Sequence, residues 1–236
     1  VHDGYVLYKS QIKYDIGGST ITNQLSKILK NKGVNVTPHY RFNKNIKDDG
    51  SFSTEYLDED FFNEVDPNYE LFWKNEIVRD IKETSLTFSE NIDAINYELP
   101  DGINVELNSN ERKEILDSMF EQNKNVPGFN GFQYMVHDAI SKADIDIKKD
   151  LYSNIFATGG NTIFTDFIDN FNRVLNTLAP NNVKVKVLSH PTSLEKKLSA
   201  WIGGSILSSL GTFHQIWFSK QEYEEHGSVL IERKCA

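Results

Sequence analysis

Apolar residues at Phe164, Phe167, Ile168, Phe171, Val174, Leu175 and Leu178 recur at spacings of three and four, so a helix here turns one face to a core. Pro180 ends it. Residues 155–157 read as a short apolar strand that turns at Gly159-Gly160. Val183, Val185 and Val187 alternate with lysines and read as another strand. A strand-helix-strand unit predicts parallel pairing with a right-handed crossover. Two readings of the paired glycines stay open. They are a tight turn where no Cβ fits, or a loop at a helix start whose N–H groups and dipole receive a polar or anionic ligand.

The pattern predicts further elements along the chain. Residues 5–8 read as a strand. Ser19 is placed to cap a helix carrying Ile21, Leu25, Ile28 and Leu29 and stopping at Gly33. Val34 and Val36 suggest a short extended piece. Residues 75–84 return to helix, with Ile77, Val78 and Ile81 inward and Lys82-Glu83 as a solvated pair. Pro100-Asp101-Gly102 is turn chemistry between the arms of a hairpin over 97–107. A helix is expected over 132–143. From Trp201 to Phe213, Ile202, Ile206, Leu210 and Phe213 share a face beside Gly203, Gly204 and Ser205. Ser219 and Glu222 have capping-box spacing before a short helix closed by Gly227.

Residues 38–74 break this regularity. They are acidic, turn-rich, without a clean period, and dotted with Tyr56, Phe61, Phe62, Tyr69, Phe72 and Trp73. Such a stretch is either an insertion with a binding role or a partly disordered spacer.

Length and charge narrow the classes. A chain of 236 residues, 39% hydrophobic, suits one large or two small globular domains. Its net charge of −9 and lack of a long basic cluster disfavour direct nucleic-acid binding. No apolar run approaches membrane-spanning length. One cysteine, Cys235, forms no internal disulfide, which fits a reducing compartment. The chain opens on Val1 almost directly into its first expected strand, as part of a longer protein would. No HExxH, CxxC, GxSxG or EF-hand pattern occurs, and the six histidines lack neighbours that suggest a metal site. From the residues alone, the reading stops at an α/β domain with half of a nucleotide site and no evident catalytic constellation.

Several stretches together resemble the C-terminal part of the actin superfamily: GYVL, EIVRDIKE, YELPDG, ADIDIKKDLYSN, ATGGNT, WIGGSILSSLGTF, SKQEYEEHG and the final ERKC. They run in order from Val1 to Ala236. Gly211 stands where actin has serine, and His214 where actin has glutamine. With GGNT and the insertion 38–74, these departures are similar to the fourth class of actin-related proteins, nuclear members of chromatin-remodelling and histone-acetyltransferase complexes. The resemblance implies an α/β, actin-like fold of the ribonuclease-H-like, Hsp70-type ATPase class. The chain would be its C-terminal lobe, subdomains 3 and 4, plus the tail of subdomain 1. Residues 1–16 and 128–197 would form the inner subdomain, 17–127 the outer one, and 198–236 the tail.

The resemblance also implies a site. Gly18 matches the glycine near the ribose, and Lys82 and Glu83 the pair flanking the adenosine. Gly159, Gly160 and Asn161 match the loop beneath adenosine and phosphates. Ile163 and Phe164 match the residues packing on the adenine, where actin has Met and Tyr. Lys197 matches the lysine beyond the base. ATP with a divalent cation is implied for the intact protein, with the phosphate hairpins and the metal-binding carboxylate outside this chain. These residues alone would bind ATP very weakly or not at all and hydrolyse none. A second implied site is an apolar partner groove of Gly4, Tyr5, Leu207, Leu210, Thr212 and Ile216, docking a helix of the remodeller's ATPase subunit beside actin. The same residues fit a simpler role, packing the tail helix. The acidic insertion would meet histones. Neither nucleic acid nor membrane is an expected direct partner, and the location implied is the nucleus. A cytoskeletal actin-like ATPase that polymerises is the alternative. A sugar-kinase or chaperone relative of the same fold is disfavoured by the WIGGSIL and QEYEE runs.

Overall fold

The computed structural model describes residues 1–89, 93–123 and 126–234, so Cys235 lies outside the described residues. The chain divides into two compact units. One holds Val1–Ala157 with Asn161–Ser189, and the other Thr158–Gly160 with His190–Ala236.

The first unit begins without the expected strand. Asp3 and Gly4 both take positive φ, at 49° and 83°, and a single His2–Tyr5 bridge replaces the ladder. Helix α1, Gly18–Asn31, buries Ile21, Leu25 and Leu29 along one stripe. Its N-cap is Gly17, so it starts two residues earlier than Ser19 as cap would require. The Thr20 hydroxyl accepts from the Gly17 N–H at 3.3 Å, so the closing contact comes from inside the first turn. Gly33, at φ +74°, turns the chain away as expected.

Residues 38–74 are ordered, and the spacer reading is corrected. Strand β1, Phe42–Ile46, pairs antiparallel with β2, Phe52–Tyr56. The hairpin docks on the turn of a second one, β3, Ile95–Glu98, with β4, Asn104–Leu107. Thr54 Oγ1 donates to the Asp101 carbonyl at 2.5 Å, and Tyr56 Oη donates to Asp101 Oδ2 at 3.0 Å. A Cβ on Gly102 would stand 2.9 Å from the Phe52 ring, so the aromatic ring lies where only glycine leaves room. Helix α2 runs over Pro67–Ser85, with Asp66 Oδ1 accepting from Asn68 N at 2.7 Å. It is nearly twice as long as 75–84, because Tyr69, Phe72 and Trp73 hide the period of its first turns while packing edge-on against one another.

Helix α3, Ser109–Asp117, escaped the pattern, although Asn108 and Glu111 form a complete capping box. Helix α4, Phe132–Ser141, falls inside its expected range, and α5, Lys148–Ser153, occupies the link that follows. Strands β5, Ile155–Phe156, and β6, Val187–Leu188, pair in parallel as expected. Each has only two residues, and 183–186 is not a strand. Helix α6, Phe167–Leu178, joins them and buries Phe167, Phe171 and Leu175. Burying each such side chain contributes about 1.5–3 kcal/mol. One apolar core takes residues from α1, α2, β3–β4, α3, α4 and α6.

The second unit is helical: α7, Ser193–Ser209, α8, Phe213–Ile216, α9, Lys220–His226, and α10, Val229–Lys234. Thr192 with Glu195 caps α7, and Ser219 with Glu222 caps α9 as its spacing predicts. Lys234 donates to the Trp217 carbonyl at 3.0 Å and to Glu222. His214 lies edge-on to Trp217, with centroids 4.6 Å apart. No described helix is long and apolar enough to cross a membrane.

Candidate nucleotide and partner sites

In the first unit, the start of α1 and the last turns of α2 meet at Lys82. Tyr97 Oη donates to Asp80 Oδ2 at 2.5 Å, tying α2 to β3 two residues before Lys82. Burial, with that bond adding to it, pushes the Tyr97 hydroxyl up to about 12. Lys82 is not the solvated half of a surface pair. It is 7% exposed, and Nζ donates to the Gly18 carbonyl at 3.3 Å and to Thr22 Oγ1 at 3.2 Å. Glu83 is exposed, 3.8 Å from Arg79. A buried ammonium is costly unless hydrogen-bonded, and these acceptors help hold it in place.

Gly18 is the contact point of this cluster. A Cβ there would stand 3.3 Å from Lys82 Nζ and 3.4 Å from Asn161 Oδ1. Three of the expected site residues, Gly18, Lys82 and Asn161, therefore come together. Asn161 is the second residue of a 3-10 turn, Gly160–Ile163, and α6 begins only at Phe167. Gly159 thus precedes, and Gly160 opens, a tight turn rather than the long helix. Ile163 is half-buried. Phe164 is buried in the core, edge-on to Phe88 with centroids 6.4 Å apart.

In the second unit, Gly159 N donates to the Lys196 carbonyl at 2.9 Å, and Thr158 Oγ1 donates to Ser199 Oγ at 2.8 Å. Gly159 has φ +104°, which favours glycine, and Gly160 has no such need. Lys197, next to the accepting residue, is exposed.

The groove residues are all exposed. Gly4 and Tyr5 belong to the first unit, and Tyr5 is 77% accessible. Leu207 is in α7 and Leu210 just past its end, while Thr212 caps α8 and Ile216 closes it. Trp201, Ile206, Trp217 and Tyr223 of the same unit are exposed as well.

Sequence patterning pointed to neither of two further features. Thr22, four residues after Gly18, is buried and bonded to both Gly18 and Lys82. The insertion builds a cleft of about 620 Å³ whose lining includes Thr37, Arg41, Tyr56, Phe62, Glu70 and Lys74. Glu70 accepts from Arg41 at 2.5 Å and pairs with Lys74 at 2.7 Å. Lys74, then Arg41, holds its carboxyl below the usual range despite burial. Among the described residues no group of three or more His, Cys, Asp or Glu could hold a metal ion.

The sequence model of the family described as Actin matches residues 1–236. Proteins named Actin-related protein 4 are similar along the whole chain. The one from Arabidopsis thaliana is 36% identical over 256 residues, and those from Oryza sativa subspecies indica and japonica are each 38% identical over 255. Each match covers 100% of this chain and 57% of the relative, so the chain spans somewhat more than half the length of these relatives.

Proposed function

The chain belongs to the actin family, and from that premise we propose that it serves as part of a nuclear actin-related scaffold subunit of chromatin-remodelling and histone-acetyltransferase complexes. The observation that carries this reading is the similarity to proteins named Actin-related protein 4, which spans all 236 residues. Proteins of this family typically bind ATP with a divalent cation. Gly18, Lys82 and Asn161 suit the sugar and base side of such a ligand, with a buried ammonium and a side-chain amide gathered at a glycine. Glu83, Gly159, Gly160, Ile163, Phe164 and Lys197 complete the assignment. When bound, the nucleotide supplies phosphates and metal. The reading takes no metal ligand and no catalytic group from this chain.

The scaffold role rests on surface. Leu207, Leu210 and Ile216 of the second unit offer apolar area to a helix of the remodeller's ATPase, beside actin, and Tyr5 of the first unit is exposed in its own right. The insertion 38–74 carries nine carboxylates against four Lys and Arg, which suits basic histones. Purification of the full-length protein from nuclei tests the whole. Co-recovery of actin and a remodeller ATPase is expected, and recovery of neither overturns the reading. Calorimetry on the 236 residues alone should give no saturable ATP binding, and micromolar binding would contradict a half-site. Removing 41–70 should abolish histone pull-down, and unchanged capture would dismiss that role.

A further inference from the structure

The Thr22 hydroxyl has one proton, and the geometry commits it. Oγ1 donates to the Gly18 carbonyl at 3.0 Å, one helical turn back. Its lone pairs are thereby left for Lys82 Nζ at 3.2 Å, and the same Gly18 carbonyl accepts from Nζ at 3.3 Å. Ammonium, hydroxyl and carbonyl close a triangle across α1 and α2, with Thr22 and Lys82 both buried. The side chain of Asn161 stands against Gly18 at the same point.

We propose that Thr22 is a positioning residue of the nucleotide site. It anchors the Lys82 ammonium through Gly18 and so fixes the polar group presented to the sugar and base. This rests on the nucleotide reading above. A long lysine left unanchored has many rotamers, and ordering it on binding weakens affinity. Hydrogen bonds to charged groups are strong enough that loss of one shifts an equilibrium by about tenfold or more.

Thr22→Val keeps the shape and removes the acceptor, whereas Thr22→Ser keeps the hydroxyl. The first readout needs no nucleotide. The full-length protein is treated with an amine-acetylating reagent, and the rate at each lysine is read by mass spectrometry. Thr22→Val should label Lys82 about tenfold faster, leave Lys27 and Lys30 on the same helix unchanged, and be rescued by Thr22→Ser. An unchanged Lys82 rate overturns the anchor. The second readout is ATP affinity, expected about tenfold weaker in Thr22→Val and near native in Thr22→Ser. Faster labelling with unchanged affinity overturns the positioning role. Failure of the unsubstituted protein to bind ATP overturns the nucleotide reading and this role with it, while labelling still decides the anchor itself.

Discussion

Helices α6 and α7 are both rich in large apolar residues, yet one is packed and the other bare. In α6 they recur on a single stripe, and Phe167, Phe171 and Leu175 are buried. In α7 they spread around the axis from Leu194 through Trp201 and Ile206 to Leu207, and none is buried. A helix that is apolar on several sides belongs inside something. The contrast separates two ways of holding a helix. Burial secures α6, whereas α7 and α9 are held locally, by the side chains of Thr192, Glu195, Ser219 and Glu222. The exposed face of α7 is a demand for cover that the second unit does not meet from its own residues.

The largest expected difference lies in truncation. Leu175→Ala, in the first unit's core, should cost about 2–5 kcal/mol in urea unfolding. Leu207→Ala in the same 236 residues should change stability by no more than about 0.5 kcal/mol. A Leu207→Ala penalty in the full-length protein matching that of Leu175→Ala would show that the face is covered there. Glycine substitutions should differ in sign. Gly102→Ala forces a side chain onto φ +89° and into the Phe52 ring, costing about 1–3 kcal/mol. Gly203→Ala, in α7 with nothing within 4 Å of the new Cβ, should stabilise by about 0.5–1 kcal/mol. Loss in both would mean that Gly203 meets a neighbour outside these residues. Ser219→Ala should weaken α9 by about 1 kcal/mol, seen as faster amide exchange confined to that helix.

The subtlest effect is pH dependence. Lys234 first, then the Ser219 N–H and hydroxyl, hold the Glu222 carboxyl down at about 2, against an ordinary 4.5. A depressed carboxyl stabilises fully above its unfolded value, and that contribution is lost as pH falls through its folded value. Protection of the α9 amides should therefore persist at pH 5 and fade between 4.5 and 2. Lys234→Ala should shift the Glu222 titration upward, and an NMR titration that stays in place would remove Lys234 as the cause.

Much of this architecture was legible because burial imposes a period and caps impose residue types. The stripe of α6, the turn at Asp101-Gly102 and the Ser219–Glu222 cap all announced themselves. The insertion did not, because its order comes from contacts distant in sequence. Thr54 and Tyr56 reach Asp101, and Arg41 reaches Glu70. The strand over residues 5–8 failed for the opposite reason, since apolar composition there has no partner ladder and the chain turns at Gly4. At the proposed nucleotide site, the family resemblance pointed to Gly18 and Lys82, which the structure brings together. That Lys82 points inward follows from Thr22 across sixty residues, which spacing along one helix cannot disclose.

The β1–β2 hairpin has a practical use. Its tip, Lys47 to Ser51, is exposed, and it closes on itself through Ser51 N and Oγ donating to Asp49. Further down the strands, Thr54 and Tyr56 are pinned to Asp101. A short epitope tag or dye-bearing cysteine grafted between Asp48 and Gly50 would ride on a fixed mast. It would let the intact protein be tracked without disturbing the anchored base of the hairpin.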